Sequence, residues 1–546
     1  MKKQLLINGK LYLERGKFAE ALYLEDGTIR EVGTTEGLRS AHRDAELLDC
    51  QGHTVLPGLN DSHQHTMLTG RHVSKMVNIK DCRSIEDIVQ RCRTFMAENP
   101  ELTRRGLYAP NSWNQEFFDT DRRIPDRHDL DRISTEIPVV LERTCGHIVS
   151  ANTKAVEMAG FTKDSPPVEG GTFEKDADGV PNGIFTENAA KPIRATVVRN
   201  DPEELEALML RAMEYAVAHG LTSVQSNDIG VSVTGDYQVG FDLIRRIFEE
   251  GKALCRYHYQ INFLTVEEFQ KFLDGEWTHG KYPAADGWLT MGCLKMYKDG
   301  TLGGRTAMMR QGYADAPDVY GEEALSDESM RAFLKLADQY GMQAITHVIG
   351  DKAIEDTVKC YEEILHDGKN PHRNALVHCQ ITDRPLLERI VKDDLSVFFQ
   401  PVFLEHDLHI VEDRVGKELA STSYAFKTLH DLGGHESYGS DSPVEDCNPF
   451  PCIYNAMTRQ DLQGRPDGGY APHERVDLET AIDAYTVGSA YNQFQENVKG
   501  RLKPGYYADL VILDRDIFTC PVEEIPAIRP LLTMVGGKVV YRQEGF

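Results

Sequence analysis

The chain has 546 residues, enough for a full α/β barrel with room for at least one further domain. It carries 60 basic and 86 acidic side chains, a formal net charge of −26, and such an excess repels nucleic acid and anionic membrane, which excludes both as partners. Eleven cysteines, an odd number with no CxxC pair, read as a reduced thiol set, not a disulfide framework, and no stretch matches a signal-peptide core or a bilayer span, so a cytoplasmic protein is expected.

In chain order, residues 1–55 are short alternating runs broken by turn signals: QLLING, KLYLERG and ALYLEDGTIREVG. The tail, 497–546, repeats that texture in YYADLVILD and LLTMVGGKVVYRQ, so the two ends are expected to form one small β-structure. Between them strand-like runs alternate with amphipathic helices. The clearest helix has Asp201 as N-cap, Pro202 at its first position, Glu204 in the capping-box position and apolar spacing through Leu205, Leu208, Ala212 and Ala216, and it closes at Gly220.

Strand candidates run through TVLPGLNDSHQH, SVQSND, CRYHYQINF, CLKMYKDG, QAITHVIG, NALVHCQ, LSVFFQPV and HESYGSDSP. That makes eight, the number of a (β/α)8 barrel spanning 56–496, if residues 73–200 are an insertion after strand one. The insertion carries its own strand-like runs, GLYAPNSW and PVVLERTC, and a capped helix from Ser84 to Met96. Following strand one directly, it is expected to rise from the C-terminal face of the barrel and to roof the site there.

Six potential metal ligands sit at the ends of these runs: His63 and His65 on strand one, Lys295 on four, His347 on five, His378 on six and Asp441 on eight. With 19 histidines, an HxH is expected nearly once by chance; what lends this pair weight is that residues i and i+2 of a strand point to one side and reach one ion. Taken singly, His347 and His378 read as readily as hydrogen-bonded histidines, and Asp441 as an Asx-turn before Pro443. Lys295, between Leu294 and Met296, must bury its ammonium or use it, with Lys298 a competing candidate in the same run. Together the six point to a metal-dependent hydrolase.

The runs DSHQH after VLPG, LKMYKDGTLGGRTA, THVIGDKAIED, VHCQITD, FFQP, YGSDSPVEDCNPF and GRLKPGYYADLVILD resemble the amidohydrolase superfamily, specifically its YtcJ-like branch (amidohydrolase family 3), over nearly the whole chain. The resemblance implies a (β/α)8 barrel with a composite β-sandwich from both termini, and zinc-dependent hydrolysis of N-acyl, N-formyl or related small-molecule amides. It implies two Zn2+ ions, His63 and His65 holding the more buried one and His347 and His378 the more exposed. Asp441 would bind metal while serving as general base and acid. Lys295 would be carbamylated by CO2 to give a bridging carboxylate. A single-metal variant stays open, and a homodimer is common in the superfamily.

By the same resemblance His147 is a candidate oxyanion donor, and Trp113, Arg305 and Gln400 are candidate substrate contacts. Each also has a structural reading: His147 as a loop histidine, Arg305 as a loop anchor, Gln400 as a buried amide. The chain departs from the family pattern at Val377, where an acidic residue is common, and at Asn227 and Asp228, where a His-Asp pair is common. Two alternatives remain: a deaminase of a ring amine, for which Glu355 lies eight residues after His347, and a non-catalytic regulator of the exoenzyme-regulatory type.

Overall fold

A computed structural model describes residues 2–546 apart from 75, 144–147, 169–170, 178, 199–200, 231–235 and 278–286. The chain divides into two compact units, one formed by Met1–Val73 with Leu205–Phe546, the other by Ser74–Glu204.

Eight parallel strands form the centre of the first unit: Leu59–Gln64, Leu221–Ile229, Arg256–Ile261, Leu289–Tyr297, Ala344–Val348, Ala375–His378, Ser396–Phe399 and His435–Tyr438, adjacent in that order. They are the eight segments expected from the sequence. Beyond strand eight the chain returns to strand one. The Asp441 N–H donates to the His63 carbonyl at 2.8 Å and the His65 N–H to the Ser442 carbonyl at 2.8 Å, so the sheet is a nearly closed (β/α)8 barrel. Asp61 reinforces the seam by accepting from the Ser440 hydroxyl at 2.6 Å and backbone N–H at 3.2 Å.

Side-chain alternation sorts each strand into two faces. Cys293, Ile345, Ala375, Val377 and Phe398 fill the barrel interior as one apolar layer. Leu294, Met296, Ala344, Leu376, Val397 and Phe399 face the surrounding helices. The helix Pro202–Ala218 forms as its caps predict: Asp201 Oδ1 accepts from the Glu204 N–H at 3.1 Å, and the chain turns out at Gly220 with φ +85°.

The run TVLPGLNDSHQH serves two sheets. Thr54–Pro57 pairs with Leu510–Leu513 in a six-stranded sheet, and only Leu59–Gln64 enters the barrel. Gly58 stands between them, where a Cβ would lie 2.1 Å from the Thr222 hydroxyl. The six-stranded sheet also holds Lys10–Glu14, Lys17–Ala19, Pro530–Val535 and Lys538–Arg542. A four-stranded sheet holds Lys3–Ile7, Ala21–Glu25, Thr28–Gly33 and Glu46–Asp49. Leu6, Leu22 and Ile29 of one pack with Leu11, Val55, Leu510 and Leu532 of the other, a β-sandwich drawn from both ends of the chain.

The second unit has its own five-stranded sheet, including Leu107–Trp113 and Val139–Arg143, and a helix Ile85–Glu98 whose N-cap Ser84 accepts from the Asp87 N–H at 3.1 Å. Ile88, Val89, Cys92, Leu107, Trp113 and Leu141 make its core. Among the described residues no helix is long and apolar enough to cross a membrane.

Candidate metal centre

Four of the six expected ligands meet around one carboxylate at the C-terminal end of the barrel. The Nε2 atoms of His63 and His65 both lie 3.3 Å from Asp441 Oδ1, and His378 Nε2 lies 4.0 Å from Asp441 Oδ2. His63, His378 and Asp441 present ligand atoms within 4.8 Å of one another, all three buried. The His347 ring packs edge-on against His378, with centroids 4.5 Å apart.

Local backbone geometry delivers these side chains. His63 lies on strand one and His65 just past its end, at the cap of the helix Thr66–His72, and both turn Nε2 toward Asp441. His347 is two residues after the inward Ile345. His378 follows the inward Val377 directly, and simple alternation would send it outward. Its φ of +74°, with +49° at Cys379, breaks the alternation, and Asp441 sits at φ +57°. For non-glycine residues such conformations cost on the order of 1–3 kcal/mol each, and they cluster where function demands a particular side-chain direction.

The proton positions follow from the partners. His63 Nδ1 is 2.5 Å from Gln260 Oε1, His378 Nδ1 is 2.7 Å from Gln400 Oε1 and His65 Nδ1 is 2.9 Å from the Asn227 carbonyl. The two glutamines cannot be reversed, because their Nε2 groups donate to the Ser62 and Phe398 carbonyls. All three Nδ1 atoms must therefore carry the hydrogen; on neutral His63 and His378 this leaves the Nε2 lone pair toward Asp441, while His65, whose pKa is raised by its contact with Asp441, presents its Nε2 to the same carboxylate. His347 is the opposite tautomer: its Nε2 donates to the Gly300 carbonyl at 3.0 Å, leaving Nδ1 with the lone pair.

Lys295 completes the set. Its Nζ is fully buried, has no hydrogen-bond partner and lies 4.4 Å from the centroid of the Tyr297 ring. Burial lowers its pKa to about 7, the nearby Asp441 charge only partly opposing this. Lys298 turns to the other side of the strand, where its ammonium meets Glu323 and Asp327, each at 2.6 Å. Burial also drives His63 and His347 well below the ordinary imidazole pKa and His378 to about 4, so these rings are neutral. Burial alone would raise the Asp441 carboxyl, yet its contact with the His65 imidazole, the one ring of the three whose pKa is raised, holds it below the carboxylate range.

This donor set fits a divalent cation. Asp441 Oδ1, His378 Nε2 and Lys295 Nζ are all buried polar atoms without partners, an expensive arrangement for a cluster with no further occupant. Neutral imidazole nitrogens with an ionised carboxylate are the ligand chemistry of late transition metals.

Several other expected site residues lie elsewhere. Of the two readings of Gln400, the structure has the buried amide, both of its ends committed behind the candidate ligand His378. Arg305 takes the loop-anchor reading: it forms a two-pronged pair with Asp315 at 3.0 and 2.7 Å and fixes the loop after strand four. Trp113 is fully buried within the core of the second unit. His147 lies outside the described residues. Glu355 pairs with Arg310 at 3.1 Å and Lys359 at 3.2 Å, which ties down the carboxylate a deaminase would need free.

Three functional residues had no reading from the sequence. Gln260 positions His63 from strand three. Asp299 accepts from the N–H groups of Ile349 at 3.0 Å, Gly350 at 2.9 Å and Met308 at 2.9 Å, fixing the segment after His347. Asp61, two residues before His63, clamps the barrel seam; burial lifts both aspartates to about 7. For the two aspartates the only prior signal was their place in the DSHQH and YKDG runs, and Gln260, in CRYHYQINF, had none.

Comparison with known proteins gives a consistent picture. The model of a family described as "Amidohydrolase family" matches residues 46–541. The amidohydrolase-family protein YtcJ of Bacillus subtilis (strain 168) is 30% identical over 533 residues, covering 97% of each chain. An N-substituted formamide deformylase of Arthrobacter pascens is 24% identical over 569 residues, 100% of this chain and 99% of that one. The crystal structure of an uncharacterised metal-dependent hydrolase from Pyrococcus furiosus superposes with a TM-score of 0.76 at 26% identity, covering 94% of this chain and 99% of that one.

Proposed function

Since the chain belongs to the amidohydrolase family and is a metal-dependent hydrolase of carbon–nitrogen bonds, we propose that it cleaves the C–N bond of a small N-acyl or N-formyl amide at the His63–Asp441 cluster with Zn2+ as cofactor. The observation that carries this reading is the convergence of the Nε2 atoms of His63, His65 and His378 on the buried Asp441 carboxylate, whose Oδ1 has no hydrogen-bond partner. The substrate class is supported by the formamide deformylase, which resembles this chain from end to end.

In this reading His63, His65 and His378 bind through Nε2, His347 through Nδ1, and Asp441 through its carboxylate. Bound zinc supplies Lewis acidity, lowering the pKa of water and polarising the amide carbonyl. Asp441, whose carboxyl is held below the usual carboxylate range, would accept the proton of the attacking water and return it to the leaving nitrogen. The products are a carboxylic acid and an amine. In the same reading Lys295, whose pKa burial lowers to about 7, would add in its neutral form to CO2 with release of one proton, and the carbamate so formed would offer two oxygens as further metal ligands.

The test is a screen of zinc-loaded protein against N-formyl amines, N-acyl amino acids and cyclic amides, repeated after Asp441→Asn. Hydrolysis of the first two classes is expected, with kcat lowered 10²–10⁴-fold in the variant. Unchanged turnover in Asp441→Asn would sink the proton-transfer role. Intact-mass analysis that finds Lys295 without the mass of one CO2, in protein that nonetheless turns over, would remove the carbamate.

A further inference from the structure

A second cluster of metal-binding side chains lies at the other end of the barrel, on the connections that lead into strands five and six. Asp338 is in the last turn of the helix Asp327–Gln339; His366 and His372 lie between the helix Asp351–Glu362 and strand six. Both imidazoles turn Nε2 toward the same oxygen, Asp338 Oδ1, at 2.6 Å for His366 and 3.3 Å for His372. The three ligand atoms lie within 4.8 Å of one another.

We propose that Asp338, His366 and His372 form a second divalent-cation site, distinct from the catalytic cluster and of the zinc class. An ion pair with Asp338 accounts for His366. It does not account for His372, whose Nε2 is buried and makes no hydrogen bond. Two ligands of a tetrahedral zinc ion, each about 2.0–2.2 Å from the metal, stand about 3.3–3.5 Å apart, which is the His372–Asp338 spacing. His366 is closer than that, but its ring is half exposed and has room to open.

The arms are also preset. His366 opens a tight turn closed by mutual backbone hydrogen bonds with Lys369 at 2.9 and 3.0 Å, through Asp367 and Gly368 at φ +52° and +72°. His372 lies within a turn closed by the Arg373 N–H to the Asn370 carbonyl at 3.0 Å. Holding the ligands before binding removes much of the ordering entropy that binding would otherwise require. Two imidazole nitrogens and one carboxylate oxygen favour Zn2+, Co2+ or Ni2+ over the all-oxygen preferences of Mg2+ and Ca2+. The exposed side of the cluster leaves a coordination position to water. An ion there would pin the end of one barrel helix to the entry of the next strand, so it would act as a clip and not as a catalyst.

Equilibrium dialysis of the whole protein against Zn2+, followed by metal analysis, tests this. Wild type is expected to hold one ion per chain more than His366→Ala, His372→Ala or Asp338→Asn, with hydrolysis rates unchanged. Excess Zn2+ should raise the thermal midpoint of wild type and leave that of the variants in place. His366→Ala removes an exposed ring and carries the test even if His372→Ala fails to fold. Equal stoichiometry in wild type and His366→Ala, with the same response of the midpoint to Zn2+, would overturn the site and leave a plain His–Asp ion pair.

Discussion

At the scale of single residues, the catalytic cluster depends on atoms that never face its centre. Gln260 and Gln400 hold a hydrogen on Nδ1 of His63 and His378, and that is what makes Nε2 a ligand. Gln400→Leu should therefore lower zinc affinity 10–100-fold, measured by competition with a chelator, while leaving the fold intact. An unchanged dissociation constant would mean that packing alone orients His378. The sequence made the candidate ligands legible only as a set spread over successive strands and left their supports obscure, since a glutamine at a strand end carries no comparable signal. Lys295 and Lys298 show the same limit, since a strand reading permits either to face inward until the register is known.

At the scale of elements, the strand and helix boundaries followed local chemistry. Asp201, Pro202 and Gly220 predicted their helix because caps act within a few residues. The division of TVLPGLNDSHQH at Gly58 could not be read in the same way. Both halves are extended, the first apolar and the second polar beyond Leu59, and the break falls at Gly58, where a Cβ would meet the Thr222 side chain. Gly70 sets a similar constraint on the helix Thr66–His72 that follows strand one. A Cβ there would lie 1.9 Å from the Leu208 carbonyl oxygen, and a backbone atom cannot swing aside as a side chain can. Gly70→Ala should cost about 1–3 kcal/mol in chemical denaturation. Gly16→Ser, in open space at φ +69°, would incur only the local backbone penalty. Equal losses at the two positions would contradict the steric argument.

At the scale of the whole molecule, buried charges join the barrel to the strands contributed by the C-terminal segment. Arg256, at the start of strand three, makes a two-pronged pair with Asp509 at 2.7 and 2.9 Å, both side chains nearly inaccessible. Asp509→Ala leaves that guanidinium without its partner and should cost about 3–5 kcal/mol, with Arg256→Met/Asp509→Leu losing much less. A double variant as unstable as the single one would show that packing, not charge, is at stake. Lys499 gives the molecule a pH dependence. Burial lowers its pKa to about 7 from an ordinary 10.5, its Nζ donating to Ser223 at 2.8 Å. Between those values the unfolded chain binds more protons than the folded one, so this lysine's contribution makes stability rise with pH through that window. Lys499→Met should therefore stabilise the protein near pH 7, and the gain should shrink toward pH 10. A difference that stays constant with pH would disprove the linkage.

By itself the sequence determined the eight barrel strands, the capped helices and the order in which the candidate ligands fall along them. Those signals are periodic or local, and one chain is enough to express them. The tertiary structure decided which lysine faces inward, which nitrogen of each histidine carries the lone pair, and that Gln400 and Arg305 serve neighbouring side chains and loops. Each of those outcomes depends on a partner 10 to 200 residues away, such as Gln260 for His63 or Asp315 for Arg305. Left-handed backbone at His378 and Asp441 likewise has no counterpart in a local sequence pattern.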